Sequence, residues 1–309
     1  MAREVIGIEI GGTKLQMVVG TPDGKILERR RANVDVSAGG PGIRSQIERF
    51  LPELLRGREV TAVGVGFGGP LDFQTGRIAC SHQIEGWSDF PIADWVRSLC
   101  SKPVQVDNDA NVATLGEAIA GAGRGANPVF YVTLGSGVGG GLVVDGRVYH
   151  GLKPGESEIG HLRLDREGTI VEQRCSGWAV DRCIRKLVTE NPTGRLASYV
   201  KTAPGGEARH LAAAVLEGDP LAVRILRQTS EDLAFALSHV THLFHPQRIV
   251  LGGGLSLVGD PLRNAVAEML PRFIMEAFHP GPEIVLAALA EDAVPVGALL
   301  MAGQIQELH

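Results

Sequence analysis

No stretch of this chain approaches the ~18–20 consecutive apolar residues that a membrane helix needs, and the opening runs from Met1 straight into "REVIGIEI". Neither a membrane span nor a secretory leader is therefore expected, and the protein reads as cytoplasmic. Basic excess is missing too: 30 Lys and Arg stand against 35 Asp and Glu, a formal charge of -5, with the cations scattered rather than blocked. Such a balance gives no grip on a nucleic-acid backbone. Only four cysteines occur, Cys80, Cys100, Cys175 and Cys183, without C-x-x-C or C-x-C spacing. A disulfide framework is not expected, and Cys175 and Cys183 read as core thiols. The P-loop pattern G-x-x-x-x-G-K-[ST] is absent.

Glycine, by contrast, is abundant at 41 of 309 residues, and it is clustered: "VFYVTLGSGVGGGLVVDGRVYHG" (129–151) holds five glycines in the seven positions from Gly135 to Gly141. Glycine weakens a strand interior, so such a cluster marks a turn that brings bare backbone amides to an anion, or else a tight hairpin and no more. Gly135, Gly137 and Gly140 formally satisfy G-x-G-x-x-G, but a dinucleotide fingerprint needs a helix next, and here a strand follows. The chain opening reads the same way. Residues 6–27 and 129–148 each give a strand, a glycine turn (Gly11-Gly12 in the first), a second strand and an Asp-Gly pair, Asp23-Gly24 and Asp145-Gly146. Two copies of one supersecondary unit facing each other across a cleft are expected. Thr13 and Lys14 add a hydroxyl and a cation suited to terminal phosphate oxygens. Gly252, Gly253 and Gly254, after the strand "RIVL", leave room for a flat ring or ribose.

Between these landmarks strands alternate with helical patterns over 43–55, 92–99, 112–120 and 176–189, then a long helix through Leu233, Leu237, Val240 and Phe244 and a last one from about 296. The pattern predicts an α/β chain in two lobes: 1–110 with about 290–309, and 111–289. His239, His242 and His245 read as the polar flank of the long helix rather than a metal site. "VQVDNDANVATLGEA" places Asp107, Asn108 and Asp109 between a strand end and a helix start. Phosphoryl transfer to an alcohol needs a carboxylate to take the hydroxyl proton and an amide to orient the acceptor. Asp109 suits the first task and Asn108 the second, unless one of them is simply the N-cap; Asp107, better suited to capping or to magnesium electrostatics, is left unassigned.

Taken in order, "IGIEIGGTK", "GVGFGGPLD", "VDNDANVATLGEA", "TLGSGVGGGLVVDGRVYHG", "EIGH", "SGWA" and "LGGG" resemble the ROK family of sugar kinases, from residue 6 to about 302. The resemblance implies a two-lobed actin-like, ribonuclease H-like ATPase fold of duplicated βββαβ-type units. It also implies phosphorylation of a hexose or hexose derivative by Mg-ATP, glucokinase-like at the 6-hydroxyl, with magnesium carried by the nucleotide, and a homodimer. Asp109 becomes the general base and Asn108 a sugar ligand. Glu9, Gly11, Gly12, Thr13 and Lys14 line the first phosphate loop, and Thr133, Gly135, Ser136, Gly137, Gly139 and Gly140 the second. Glu158, His161 and Glu172 match positions that bind sugar hydroxyls, Gly69 matches backbone lining the sugar pocket, and Gly252, Gly253 and Gly254 sit near adenosine. Repressor members carry a winged helix before the first strand; here that strand begins by about Val5, so no DNA-reading role is expected.

Three departures modify these expectations. Glu9 replaces the usual Asp, one methylene longer. Between His161 and Glu172 the chain reads "LRLDREGTIV", without the family's zinc cysteines, so no zinc is expected and packing and hydrogen bonds must hold that loop. Gln83, in "QIEGW", stands where the family presents an Asn to the sugar, which leaves the hexose open. Two rival readings follow from these changes: a sugar sensor without turnover, and a sugar kinase that uses polyphosphate as donor.

Overall fold

The computed structural model describes residues 3–80, 84–153 and 157–305; Gln83 lies outside them. Two compact units emerge, one of residues 1–125, 141–157 and 289–309, the other of residues 126–140 and 158–288.

The first unit is built on β1 (Glu4–Ile10), β2 (Lys14–Gly20), β3 (Ile26–Asn33), β4 (Val60–Phe67) and, beyond a short hairpin of β5 (Leu71–Asp72) and β6 (Arg77–Ile78), β7 (Val104–Asn108). Its sheet order is β3-β2-β1-β4-β7, antiparallel through β3-β2-β1 and parallel through β1-β4-β7. Alternation along the strands sorts side chains to two faces. Ile6, Ile8, Val63 and Val65 join Ile43, Ile47 and Leu51 of α1 (Gly39–Leu55) and Ile92 and Val96 of α2 (Ile92–Cys100) in one core. Val5, Val18 and Ala62 meet Leu299 and Ala302 of the terminal helix on the other.

That terminal helix, Ala293–Gln304, is apolar on all sides and lies against the sheet and against α3 (Asp109–Ala120). Glycine permits the approach: a Cβ on Gly64 would strike the Ala298 carbonyl, and one on Gly297 the Val112 carbonyl. This packing explains why α3 belongs with the first unit, which extends past the 1–110 boundary read from the sequence.

The second sheet contains β8 (Val129–Leu134), β9 (Val138–Val144), β10 (Arg147–Val148), β11 (Arg248–Gly252) and β12 (Glu283–Leu286), in the order β10-β9-β8-β11-β12. Its order reproduces that of the first once the β5–β6 hairpin is set aside, third-second-first-fourth-fifth, so the duplicated unit expected from the matched strand-glycine-strand-Asp-Gly patterns is present in both sheets. The second unit, which holds β8, β11, β12 and the start of β9, adds α4 (Val171–Cys175), α5 (Gly177–Glu190), α6 (Arg195–Thr202), α7 (Leu211–Leu216), α8 (Pro220–Phe244) and α9 (Asp260–Met269), and the terminal helix is α10. The start of α8 is fixed by Asp219, which accepts the Ala222 N–H at 2.9 Å, with Pro220 at the first helical position. Leu233 and Leu237 are fully buried along its inner stripe.

The three α8 histidines are engaged locally. His239 bonds the Phe235 carbonyl, His242 accepts the Met275 N–H and His245 stacks on Phe278. Of the two cysteines read as core thiols, Cys175 is buried and Cys183 is exposed. Helix α5 turns Val180 and Ile184 inward, and Cys183 falls on its outer face. Among the described residues no helix is long and apolar enough to cross a membrane.

Candidate active site

In the first unit β7 ends where α3 begins, and the junction resolves the choice left open by the sequence. Asn108 is the N-cap: its backbone is extended, its Oδ1 accepts the Ala110 N–H at 2.9 Å, and its Nδ2 donates to the Gly69 carbonyl at 3.3 Å. Asp109 is thus the first residue of the helix, where the positive end of the dipole favours a carboxylate. Its Oδ2 lies 3.2 Å from the place a Cβ on Gly68 would occupy, so bare backbone leaves room for the acid. The Gly68 N–H donates to the Ile10 carbonyl at 3.0 Å. A small cavity there is lined by Ile10, Gly11, Gly12, Phe67, Gly68 and Trp87, among others. The catalytic candidate and the first glycine turn therefore meet at Gly68. Trp87 is 1 % exposed, and its indole N–H meets no acceptor among the described residues.

The turn itself is closed by one bond, the Gly11 N–H to the Lys14 carbonyl at 3.0 Å. Among the described residues the amides of Gly12 and Thr13 donate to nothing, and both residues are accessible. Free successive amides form an anion-binding concavity. Glu9 sits beneath, 7 % exposed, its Oε1 3.3 Å from Lys14 Nζ and its Oε2 accepting from Gln16 Nε2 at 2.7 Å. Burial pushes the Glu9 carboxyl up from its ordinary 4.5, against the pull of Lys14 and Gln16. Gln16 in turn accepts from Arg31 Nε at 2.6 Å, and Arg29 pairs with Asp292 at 2.7 Å.

The second unit gathers the other predicted residues. The Gly135 N–H closes the second turn onto the Gly137 carbonyl at 2.9 Å, and the amides of Ser136 and Gly137 meet no acceptor among the described residues. Helix α5 abuts this turn through Gly177, whose N–H donates to the Gly135 carbonyl at 2.8 Å. Gly253, at φ 79°, would set a Cβ 2.5 Å from the Leu134 nitrogen, so the end of β11 lies directly on the residue before the turn. Thr133 pairs with Gly252, and beside Gly254 the space is open.

Glu172 reaches the same place: its Oε2 accepts the Val138 N–H at 3.0 Å, and a Cβ on Gly137 would strike it. Gly160, between Glu158 and His161, packs on the Val138 carbonyl, and both flanking side chains are exposed. Val138 thus ties the "EIGH" turn and Glu172 to the start of β9. In place of cysteines, the segment 162–171 is held by hydrogen bonds. Leu164 donates to Thr169 at 2.8 Å, Val171 to Leu162 at 3.0 Å, and Asp165 Oδ1 accepts the Gly168 and Thr169 amides, each at 2.9 Å. Among the described residues no group of three or more His, Cys, Asp or Glu is placed to hold a metal.

Two features escaped the sequence reading. Gln16 is 1 % exposed inside an apolar strand, and a buried amide there signals a polar partner, though not which one. Asp107, 2 % exposed, bonds the Asn108 N–H, Asn111 and His150. Nothing in the spacing announces a pair 43 residues apart.

A family model described as "ROK family" matches residues 5–305. The chain is 31% identical, over 309 residues, to a glucokinase of Halalkalibacterium halodurans, with 96% of this chain and 93% of the relative covered. Its fold is similar to that of a ROK family glucokinase from Streptomyces griseus in complex with glucose and AMPPNP, at a TM-score of 0.82 and 29% identity over 97% of this chain and 99% of that one. A ROK hexokinase from Thermus thermophilus gives 0.81 and 29% over 99% and 100%.

Proposed function

The chain belongs to the ROK family and is a carbohydrate kinase, and from that premise we propose that it transfers the γ-phosphoryl group of Mg-bound ATP to the 6-hydroxyl of a hexose or hexose derivative. One observation carries this reading: the Asp109 carboxylate stands at Gly68, beside a turn offering two unclaimed amides, the Thr13 hydroxyl and the Lys14 ammonium. Those groups suit the terminal phosphates of a donor, and the acid suits the acceptor alcohol.

Asn108, held by its cap and by Gly69, orients the sugar. As the new O–P bond forms, the hydroxyl proton passes to Asp109 and the bridging oxygen departs with ADP. Preorganised amides and a cation stabilise the charge gathering on the transferred group. Glu158, His161 and Glu172 are the sugar-hydroxyl ligands that family membership supports. Gly252, Gly253 and Gly254, bare backbone against the second turn, suit the nucleoside. Magnesium bound to the nucleotide would neutralise part of the phosphate charge. Glu9 would supply the hard oxygen such an ion takes, and Lys14, 38 % exposed, is the partner able to turn toward phosphate.

Release of ADP over a panel of hexoses and amino-sugars, repeated with polyphosphate and followed by phosphorus NMR of the product, tests the proposal. ATP-dependent phosphate on O6 of an aldohexose is expected. A protein that binds sugar without releasing ADP, or that accepts only polyphosphate, would overturn it.

A further inference from the structure

The Asp107–His150 pair lies outside every role assigned above, and its geometry is that of an anchor. Asp107 is the penultimate residue of β7, buried, and one of its carboxylate oxygens is bonded to the start of α3 and the other to His150. Its Oδ1 accepts the Asn108 N–H at 2.7 Å and Asn111 Nδ2 at 3.0 Å, while Oδ2 bonds His150 Nε2 at 2.5 Å. His150 is itself fixed: its ring stacks on Phe73 with centroids 3.8 Å apart and planes 11° from parallel. Next to Phe73, Asp72 accepts Lys153 Nζ at 2.6 Å, so the segment after β10 is fastened at two points to the β5–β6 hairpin. All these residues belong to the first unit.

A carboxylate with one oxygen on a backbone amide and the other on an imidazole cannot rotate without breaking a short bond. It therefore fixes the Asp107–Asn108 peptide, and with it the direction in which the Asn108 cap and Asp109 leave the strand. Deprived of His150, Oδ2 would be buried without a donor, and the carboxylate would turn toward whatever water or amide it could find. The Asn108 N–H would be released in the process. We propose that His150 is a positioning residue for the acid at the mouth of α3, acting through Asp107 by its Nε2 hydrogen bond and not by its ring stack. The inference rests on the kinase reading for its effect on turnover, but not for its effect on the backbone.

Two substitutions separate bond from stack. His150→Phe keeps an aromatic ring against Phe73 and removes the donor; His150→Gln keeps an amide donor of similar reach and removes the ring. Turnover is read with kcat and KM for nucleotide separately, and amide hydrogen exchange is read at residues 108–111. In the Phe variant kcat falls by on the order of 10- to 100-fold with nucleotide KM unchanged, as a displaced catalytic group requires, and the amides of 108–111 exchange faster. In the Gln variant both measures return close to those of the parent. A Phe variant indistinguishable from the parent in exchange, or a Gln variant as impaired as Phe, would overturn the proposal. Should the parent protein release no ADP with any sugar, the kinase reading fails alone, and the exchange data still decide the anchor.

Discussion

The turn after β1 and the turn after β8 each close through the amide of their first glycine, Gly11 onto Lys14 at 3.0 Å and Gly135 onto Gly137 at 2.9 Å, and among the described residues each leaves the next two amides unclaimed. Around that shared backbone the charges diverge. The first turn carries Thr13 and Lys14, with Glu9 and Gln16 buried beneath it and Gly68 and Asp109 alongside. The second carries no cation of its own and receives a carboxylate, Glu172, on the neighbouring Val138 amide. Equal backbones thus carry unequal surroundings: a cation, a hydroxyl and a buried acid at the first turn, and at the second a carboxylate and the glycines that end β11.

Substitutions at the two turns can break that contrast. Lys14→Ala should lower kcat/KM for nucleotide by on the order of 10²-fold, as loss of a preorganised cation does, whereas Ser136→Ala should change it by less than about threefold. Equal losses in steady-state assays would erase the distinction. Stability should divide the other way. Gly253→Ala forces a side chain into φ 79° and against the Leu134 backbone, and should cost about 2–4 kcal/mol in denaturant melts. Gly11→Ala, whose new Cβ would meet only the Lys14 carbonyl at 3.4 Å, should stay within about 1 kcal/mol of the parent.

Acidity sharpens the comparison further, because a strongly desolvated carboxyl lies under the first turn. Burial raises the Glu9 carboxyl above 4.5, so between that value and its own higher pKa the folded chain holds more protons than the unfolded one. Stability must then fall as pH rises through this window and level off above it. Glu9→Gln removes the effect: melts from about pH 4 to about pH 8 should show the variant gaining on the parent as pH rises, while phosphorylation declines. The smallest effect belongs to the loop that lacks the family's cysteines. Asp165→Ala should speed amide exchange at Gly168 and Thr169 and leave the global melt unchanged.

Much of this was legible beforehand because backbone needs dictate residue type. Turns that expose amides require glycine, and the paired strand-glycine-strand-Asp-Gly patterns therefore announced the duplicated unit that opens each sheet. Helix starts are written in caps, so 108–109 was placed correctly, although the choice between Asn108 and Asp109 as cap depended on which side chain folds back to Ala110. The illegible parts are those made by distant partners. That Asp107 is held by His150, 43 residues on, is a fact of tertiary packing with no local signature, whereas Lys14 and Gln16 reach Glu9 across the β1–β2 hairpin and only its register makes them partners of the acid. The domain boundary was equally hidden, since it is the seating of α10 against α3 that carries α3 into the first unit.

The central claim, that Asp109 takes the proton of a sugar hydroxyl during phosphoryl transfer, is tested most directly by comparing sugar-dependent ADP release of the parent protein and Asp109→Asn under saturating hexose and Mg-ATP. The account predicts a loss of at least about 10²-fold in kcat, with hexose affinity by calorimetry retained within about tenfold, because the isosteric amide preserves the site and removes only the base. Turnover in Asp109→Asn equal to that of the parent would contradict it.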